Sequence, residues 1–140
     1  MQIEFFMPMS KVPTATDQEK KIGIRKNGKP YKYQPAELKD AEAMLAAHLS
    51  RHVPIQPYET GVRLIVKWCF PRGDHADGEY RVTAPDTDNL QKMLKDVMSK
   101  LGFWKNDALV ASEFCEKFWA EIPGIYIKIQ SLNEIGGERS

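Results

Sequence analysis

Residues 84–107 read APDTDNLQKMLKDVMSKLGFWKND, and the architecture follows from how this stretch has to be buried. Leu90, Leu94, Val97, Met98 and Leu101 recur at three- and four-residue steps, which lays one apolar stripe along a helix. Gly102 falls where a left-handed cap would stop that helix. The stripe needs an apolar surface to cover it, and the chain just upstream supplies one. Val62, Leu64, Val66, Trp68 and Phe70 alternate with Arg63, Ile65, Lys67 and Cys69, the period of two expected of a strand with one strongly apolar face. Between strand and helix, residues 71–85 are polar and carry Pro71, Gly73, Gly78 and Pro85, which predicts a long loop. Downstream, residues 108–119 and 125–132 predict two more strands joined around Pro123-Gly124. Phe103 and Trp104 are expected to pack under the end of the helix rather than to wedge into a ligand.

Toward the N-terminus, residues 2–7 (QIEFFM) predict a short strand. Asn27-Gly28 lies between IRK and KPYKY and suits a type I′ turn, which predicts an exposed hairpin. Pro30 cannot donate to a ladder, so that hairpin belongs at an edge. Pro35 fits the first turn of a helix. Leu38, Ala41, Leu45 and His48 or Leu49 then carry the helix to about residue 51, before Pro54 and Pro57 end it. The order β, hairpin, α, β, α, β, β predicts an α+β fold with one mixed sheet and two principal helices. No repeat or linker interrupts it. The expectation is a single domain over residues 1–140, with a basic loop or hairpin at about 8–33 and a frayed tail from about residue 134.

At 140 residues and 42% hydrophobic, the chain can bury one core without disulfides or a structural metal. Its apolar runs are only a few residues long, and the first 25 residues lack a signal-peptide pattern, so no membrane span and no secretion are expected. Cys69 and Cys115 are far apart and without zinc-site spacing. They predict buried thiols in a reducing compartment.

The net charge of +1 conceals a division. Residues 1–33 hold seven basic side chains (Lys11, Lys20, Lys21, Arg25, Lys26, Lys29, Lys32) against three acidic ones, a net of +4, and the remainder is −3. A basic arm that holds an anionic ligand, with an acidic site elsewhere that holds cations, would produce this asymmetry. A solvated loop would produce it too.

Asp86 and Asp88 stand two residues apart at the start of the helix, where their carboxylates could converge on one hard divalent cation. Lys92, four residues beyond Asp88, could project toward the same ligand, with Lys95 on the same helix. Asp107 can join them only if the strand at 108–119 starts near the beginning of that helix. Each residue also has a plainer reading. Asp88 followed by Gln91 fits a capping box, Asp86 fits a solvated loop, Asp96 a paired helix residue, and Lys92 a helical ion pair with Asp88 or Asp96. Asp74, His75, Asp77 and Glu79 crowd the loop but match no calcium or zinc spacing. His48 and His52 share a helical face without a third ligand.

Taken in order, Pro85-Asp-Thr-Asp-Asn-Leu-Gln-Lys92, Asp96, Gly102-Phe-Trp-Lys-Asn-Asp107-Ala-Leu-Val110 and Lys117 resemble the RusA family of Holliday junction resolvases. The family pattern is an Asp-x-Asp-Asn-Leu-x-Lys run, an Asp four residues later, a Gly-hydrophobic segment and an Asp-Asp-x-x-Val ending. About 30 residues carry the close match. Asn106-Asp107 departs from the paired aspartates and keeps the second. The resemblance implies a homodimeric endonuclease, dependent on Mg²⁺ with Mn²⁺ as a substitute, that nicks four-way DNA junctions symmetrically in recombination and repair. It also implies a cytoplasmic setting in bacteria, often with a phage or prophage gene. The family's catalytic and metal-binding aspartates map to Asp86, Asp88 and Asp107 and its essential lysine to Lys92, with Asp96 and Asn89 in support. The basic residues of the arm, together with Lys117, are the expected DNA contacts. Two other functions fit the same residues: a catalytically silent DNA-binding protein, and a metal-dependent enzyme acting on smaller phosphate esters.

Overall fold

The computed structural model describes residues 1–14, 21–24, 30–33 and 36–136. At its centre is strand β4 (Val62–Pro71). Val62, Leu64, Val66, Trp68 and Phe70 are at most 2% exposed, all on one face. Strand β6 (Gly124–Ser131) pairs antiparallel with one side of β4, and β5 (Val110–Ala120) pairs parallel with the other. Strand β1 (Gln2–Pro8) completes the sheet against β6, giving the order β1-β6-β4-β5. The sheet is mixed, as the sequence predicts.

Helices α1 (Ala36–Leu49) and α2 (Thr87–Leu101) supply the second layer and pack on each other. Leu38, Leu45 and Leu49 of α1, and Leu90, Met93, Leu94 and Met98 of α2, are essentially sealed from solvent in the same cluster as Ile125, Ile127 and Ile129 of β6. Gly102 ends α2 with φ 94°, its N–H reaching the carbonyls of Met98 and Ser99, because only glycine adopts this conformation without a Cβ clash. Phe103 and Trp104 are buried beneath that end, and the Trp104 indole donates to Ser99 Oγ.

A parallel pair such as β4–β5 cannot be closed by a tight turn and needs a crossover, which α2 provides. The loop before α2 is not free of the sheet. Gly78 N–H donates to Trp119 O, Trp119 N–H to Glu79 O, and Arg81 N–H to Lys117 O, so the loop runs along the outer edge of β5 and covers it. His75 stacks on Trp119 and pairs with Glu79, while Asp77 accepts from the Glu121 N–H. His75, Asp77 and Glu79 thus help hold this loop against the end of β5.

Several elements differ from expectation. Strands β2 (Lys21–Ile24) and β3 (Pro30–Tyr33) pair antiparallel with each other, in a two-stranded sheet separate from the main one. The predicted turn at Asn27-Gly28, and with it Lys20, Arg25, Lys26 and Lys29, lies outside the described residues. Strand β5 starts later than residue 108 because Asp107–Leu109 form a 3-10 turn, with Asn106 Oδ1 accepting from Ala108 N–H. Residues 134–136, expected in a frayed tail, belong to a short helix, α3 (Leu132–Gly136); residues 137–140 lie outside the described set. Cys69 and Cys115 are free but only half-buried, since both sit on strands near open ground. Among the described residues, no helix is long and apolar enough to cross a membrane.

Candidate active site

A groove of about 500 Å³ separates α2 from β5. Asp88, Lys92, Lys95 and Asp96 line it from the helix, and Asp107, Glu113 and Cys115 from the strand side. Four of the site residues predicted from the sequence, Asp88, Lys92, Asp96 and Asp107, therefore share one space.

The turn that opens α2 shows how the aspartates are presented. Asp86, not Asp88, occupies the N-cap: its backbone is extended and its carbonyl accepts from Leu90 N–H, but its side chain makes no capping bond. Asp88 lies inside the first turn. Gln91 points inward, where only 5% of it is exposed. The capping box that Asp88 and Gln91 fit in the sequence does not form, because the helix starts two residues earlier, with Asp86 at the N-cap, and Gln91 lies on the inner face, where it has another partner. Both aspartate side chains are exposed.

That partner is the indole of Trp68. Trp68 Nε1 donates to Gln91 Oε1 at 2.9 Å, and Gln91 Nε2 donates to Glu113 Oε2 at 2.7 Å. Lys95 Nζ reaches the other oxygen of Glu113 at 3.1 Å. A chain of hydrogen bonds thus runs from a sealed tryptophan to a lysine in the groove. Sequence reasoning missed Gln91, Glu113 and Lys95 as a unit. One signal was present: Gln91 precedes Leu94 by three residues and Met98 by seven, a polar side chain on the apolar stripe, and such a group requires a partner.

Lys117, expected on DNA, turns back into the protein. Its Nζ donates to the carbonyls of Thr83 at 2.8 Å and Pro85 at 2.7 Å. Arg81 adds bonds to Thr83 Oγ1 and the Ala84 carbonyl, with its guanidinium over the Phe70 and Trp119 rings. The backbone that carries Asp86 and Asp88 is held from both sides. The Ala84–Pro85 peptide is cis.

Asp107 lines the same groove, but the start of β5 does not lie beside the start of α2. In a parallel pair the two strands run together, so β5 approaches the helix's first turn at its far end, where Lys117 sits opposite Trp68. Asp107, ten residues before Lys117, belongs to the other end of the groove. Asp86 does not line the groove. Among the described residues, no group of three His, Cys, Asp or Glu side chains is gathered to hold a metal ion. Burial is the main cause that pushes the Cys115 thiol up to about 12, with the Glu113 charge adding to it, so this groove residue remains a neutral thiol.

Of the remaining residues, Asn89 is half-buried in the first turn of α2. Lys11 lies against α1 with Glu37 and Asp40, away from the groove. Lys21 and Lys32 belong to the two-stranded sheet, paired with Tyr33 and Ile22 respectively.

Residues 11–130 match the family described as Endodeoxyribonuclease RusA. This chain belongs to the RusA family. Among its relatives is the crossover junction endodeoxyribonuclease rusA of Lactococcus phage r1t, 31% identical over 114 residues, which cover 79% of this chain and 83% of that protein. As a RusA-family member the chain is an endodeoxyribonuclease, and the nucleases of this family generally depend on a divalent metal. The donors of the groove and its rim suit such an ion. They are carboxylate oxygens, which hard cations prefer, and Mg²⁺ commonly takes only one or two protein carboxylates, with water and substrate phosphate completing its shell.

Proposed function

We propose that this RusA-family endonuclease resolves four-way DNA junctions by paired symmetric nicks, acting as a homodimer with Mg²⁺, or Mn²⁺ in its place, in the cytoplasm of a bacterium from a phage or prophage gene. The observation that carries this reading is the single groove that joins Asp88, Lys92 and Asp107 within the segment matched to the family. Paired cuts on opposing strands need two sites related by a two-fold axis, which a dimer supplies.

Asp86, Asp88 and Asp107 would hold one or two metal ions, Asp86 and Asp88 from one turn and Asp107 from a separate point of the same groove. A bound Mg²⁺ supplies Lewis acidity and lowers the pKa of water. Lys92 places a fixed positive charge on the same wall as Asp88, where it can meet the scissile phosphate and the oxygen that leaves. Asp96 and Asn89 flank these groups and support them. Lys117 and Arg81 hold the aspartate turn in one geometry, and a preorganised site loses less on reaching the transition state. Lys11, Lys20, Lys21, Arg25, Lys26, Lys29 and Lys32 would hold the surrounding DNA backbone.

A labelled four-way junction, a linear duplex and a flap, each incubated with Mg²⁺ or with EDTA, test this. Paired nicks on opposing strands of the junction are expected with Mg²⁺ alone. Asp88→Asn is expected to stop nicking while much of the junction affinity survives. A wild-type chain that binds the junction and never cuts it would establish a silent binding protein, and cleavage restricted to small phosphate esters would establish a different enzyme.

A further inference from the structure

We propose that Lys95 is a DNA-binding residue of this site, its ammonium held toward the groove by Glu113 so that it takes an oxygen of a phosphate flanking the one that is cut. The inference rests on the nuclease reading above and extends it to a residue outside the family's motif.

Three observations converge on Lys95. It follows Lys92 by three residues, and residues at this spacing are neighbours on a helix surface; both line the groove. It is fixed in place, unlike an ordinary surface lysine. Glu113 Oε1 receives its ammonium at 3.1 Å, Glu113 Oε2 is occupied by Gln91, and Gln91 is anchored to Trp68, which is sealed from solvent. Finally, the Lys95 and Glu113 side chains keep 26% and 30% exposure, so the pair is screened from bulk water yet open to a ligand.

An isolated pair at this exposure contributes little to stability, whereas positioning is what the chain of bonds achieves. An ammonium has three donors and no acceptor. Glu113 uses one of them and sets the direction of the others. Lys92 and Lys95, side by side, then offer two cations to a strand whose successive phosphates must both be neutralised. Glu113 acts as the backstop, its two oxygens taken by Lys95 and Gln91, so that it directs the ammonium into the groove.

The test uses the full chain in EDTA, so that nothing is cut, and junctions in which single phosphates on either side of the nick site are replaced by neutral methylphosphonates. The wild type should lose affinity when one flanking phosphate is neutralised. Lys95→Gln should bind the unmodified junction about fivefold more weakly, with a salt slope smaller by about one, and should be indifferent to neutralisation at that position. Lys95→Arg should restore both the affinity and the sensitivity. A cooperative urea transition checks that each variant is folded, and Lys95→Met serves in the same way if Lys95→Gln is not. If the folded variant keeps the wild-type salt slope and the wild-type response at every phosphate, Lys95 does not touch DNA and the inference is wrong. That failure would leave junction nicking by the wild type intact. A wild type that neither binds nor nicks any DNA would instead overturn the nuclease reading, and this inference with it.

Discussion

Lys117 Nζ lies 2.7 Å from the carbonyl oxygen of Pro85, the residue immediately before Asp86. A side chain of the strand at the sheet's edge therefore holds the backbone from which the proposed metal ligands project. A second bond, to the Thr83 carbonyl, fixes the direction of that turn as well as its position.

Lys117→Met should slow nicking by about 10- to 100-fold, the range that a misplacement of about 1 Å produces. Junction affinity should change much less, because the ammonium faces the protein. Single-turnover nicking set beside equilibrium binding decides the matter. A parallel loss of affinity, with a reduced salt slope, would put Lys117 on the DNA instead.

Asp86 sits at the N-cap without using its carboxylate as a cap. Asn is as good as Asp at that position, so Asp86→Asn should shift stability by no more than about 0.5 kcal/mol while nicking falls sharply. Thermal unfolding and a nicking assay on the same preparation separate the two effects. Loss of stability with full activity would assign Asp86 to the helix and not to the chemistry.

Gln91→Leu would remove the amide oxygen to which the buried Trp68 indole donates, leaving it only the weak acceptor of the Cys115 thiol, and would strip Glu113 of one donor. An orphaned buried polar group costs about 1–3 kcal/mol, and urea denaturation should show a loss of that size. A smaller change would mean that water replaces the amide.

The Cys115 thiol, ordinarily at 9.0, is pushed up to about 12, chiefly by burial. The folded state thus prefers the protonated thiol more than the unfolded chain does. This contribution is complete below pH 9 and is lost as pH rises from 9 toward 12. The stability difference between wild type and Cys115→Ala should be flat from pH 7 to 8.5 and shrink above pH 9. A difference that changes below pH 8 would contradict this account.

Gly124 pairs with Pro8 where β1 meets β6. A Cβ at Gly124 would lie 2.3 Å from the Met7 carbonyl oxygen and 3.0 Å from Pro8 Cα, and backbone atoms cannot give way as a flexible side chain can. Gly124→Ala should cost about 1–3 kcal/mol, the range of overpacking, and exchange of the β1 amide hydrogens should quicken. Unchanged protection of β1 would show that the strands can part slightly at no cost.

The amino-acid sequence by itself determined β4 and α2, since a period of two over residues 62–70 and a stripe of Leu90, Leu94, Val97, Met98 and Leu101 are local patterns that each need one buried face. It also determined the left-handed stop at Gly102, the order of the elements and, through an ordered run of aspartates and Lys92, the family.

What those side chains meet was decided only by the tertiary structure. The parallel pairing of β4 with β5 brings Lys117 opposite Trp68 and onto the aspartate turn, and it sends Asp107 toward the far end of the groove. It also gives Gln91, on the inner face of α2, a bond to a buried indole. Such choices depend on contacts between residues 23 to 49 apart in the chain. Helical and strand periodicity report which face of an element is buried, but strand direction and register determine which distant residue waits there.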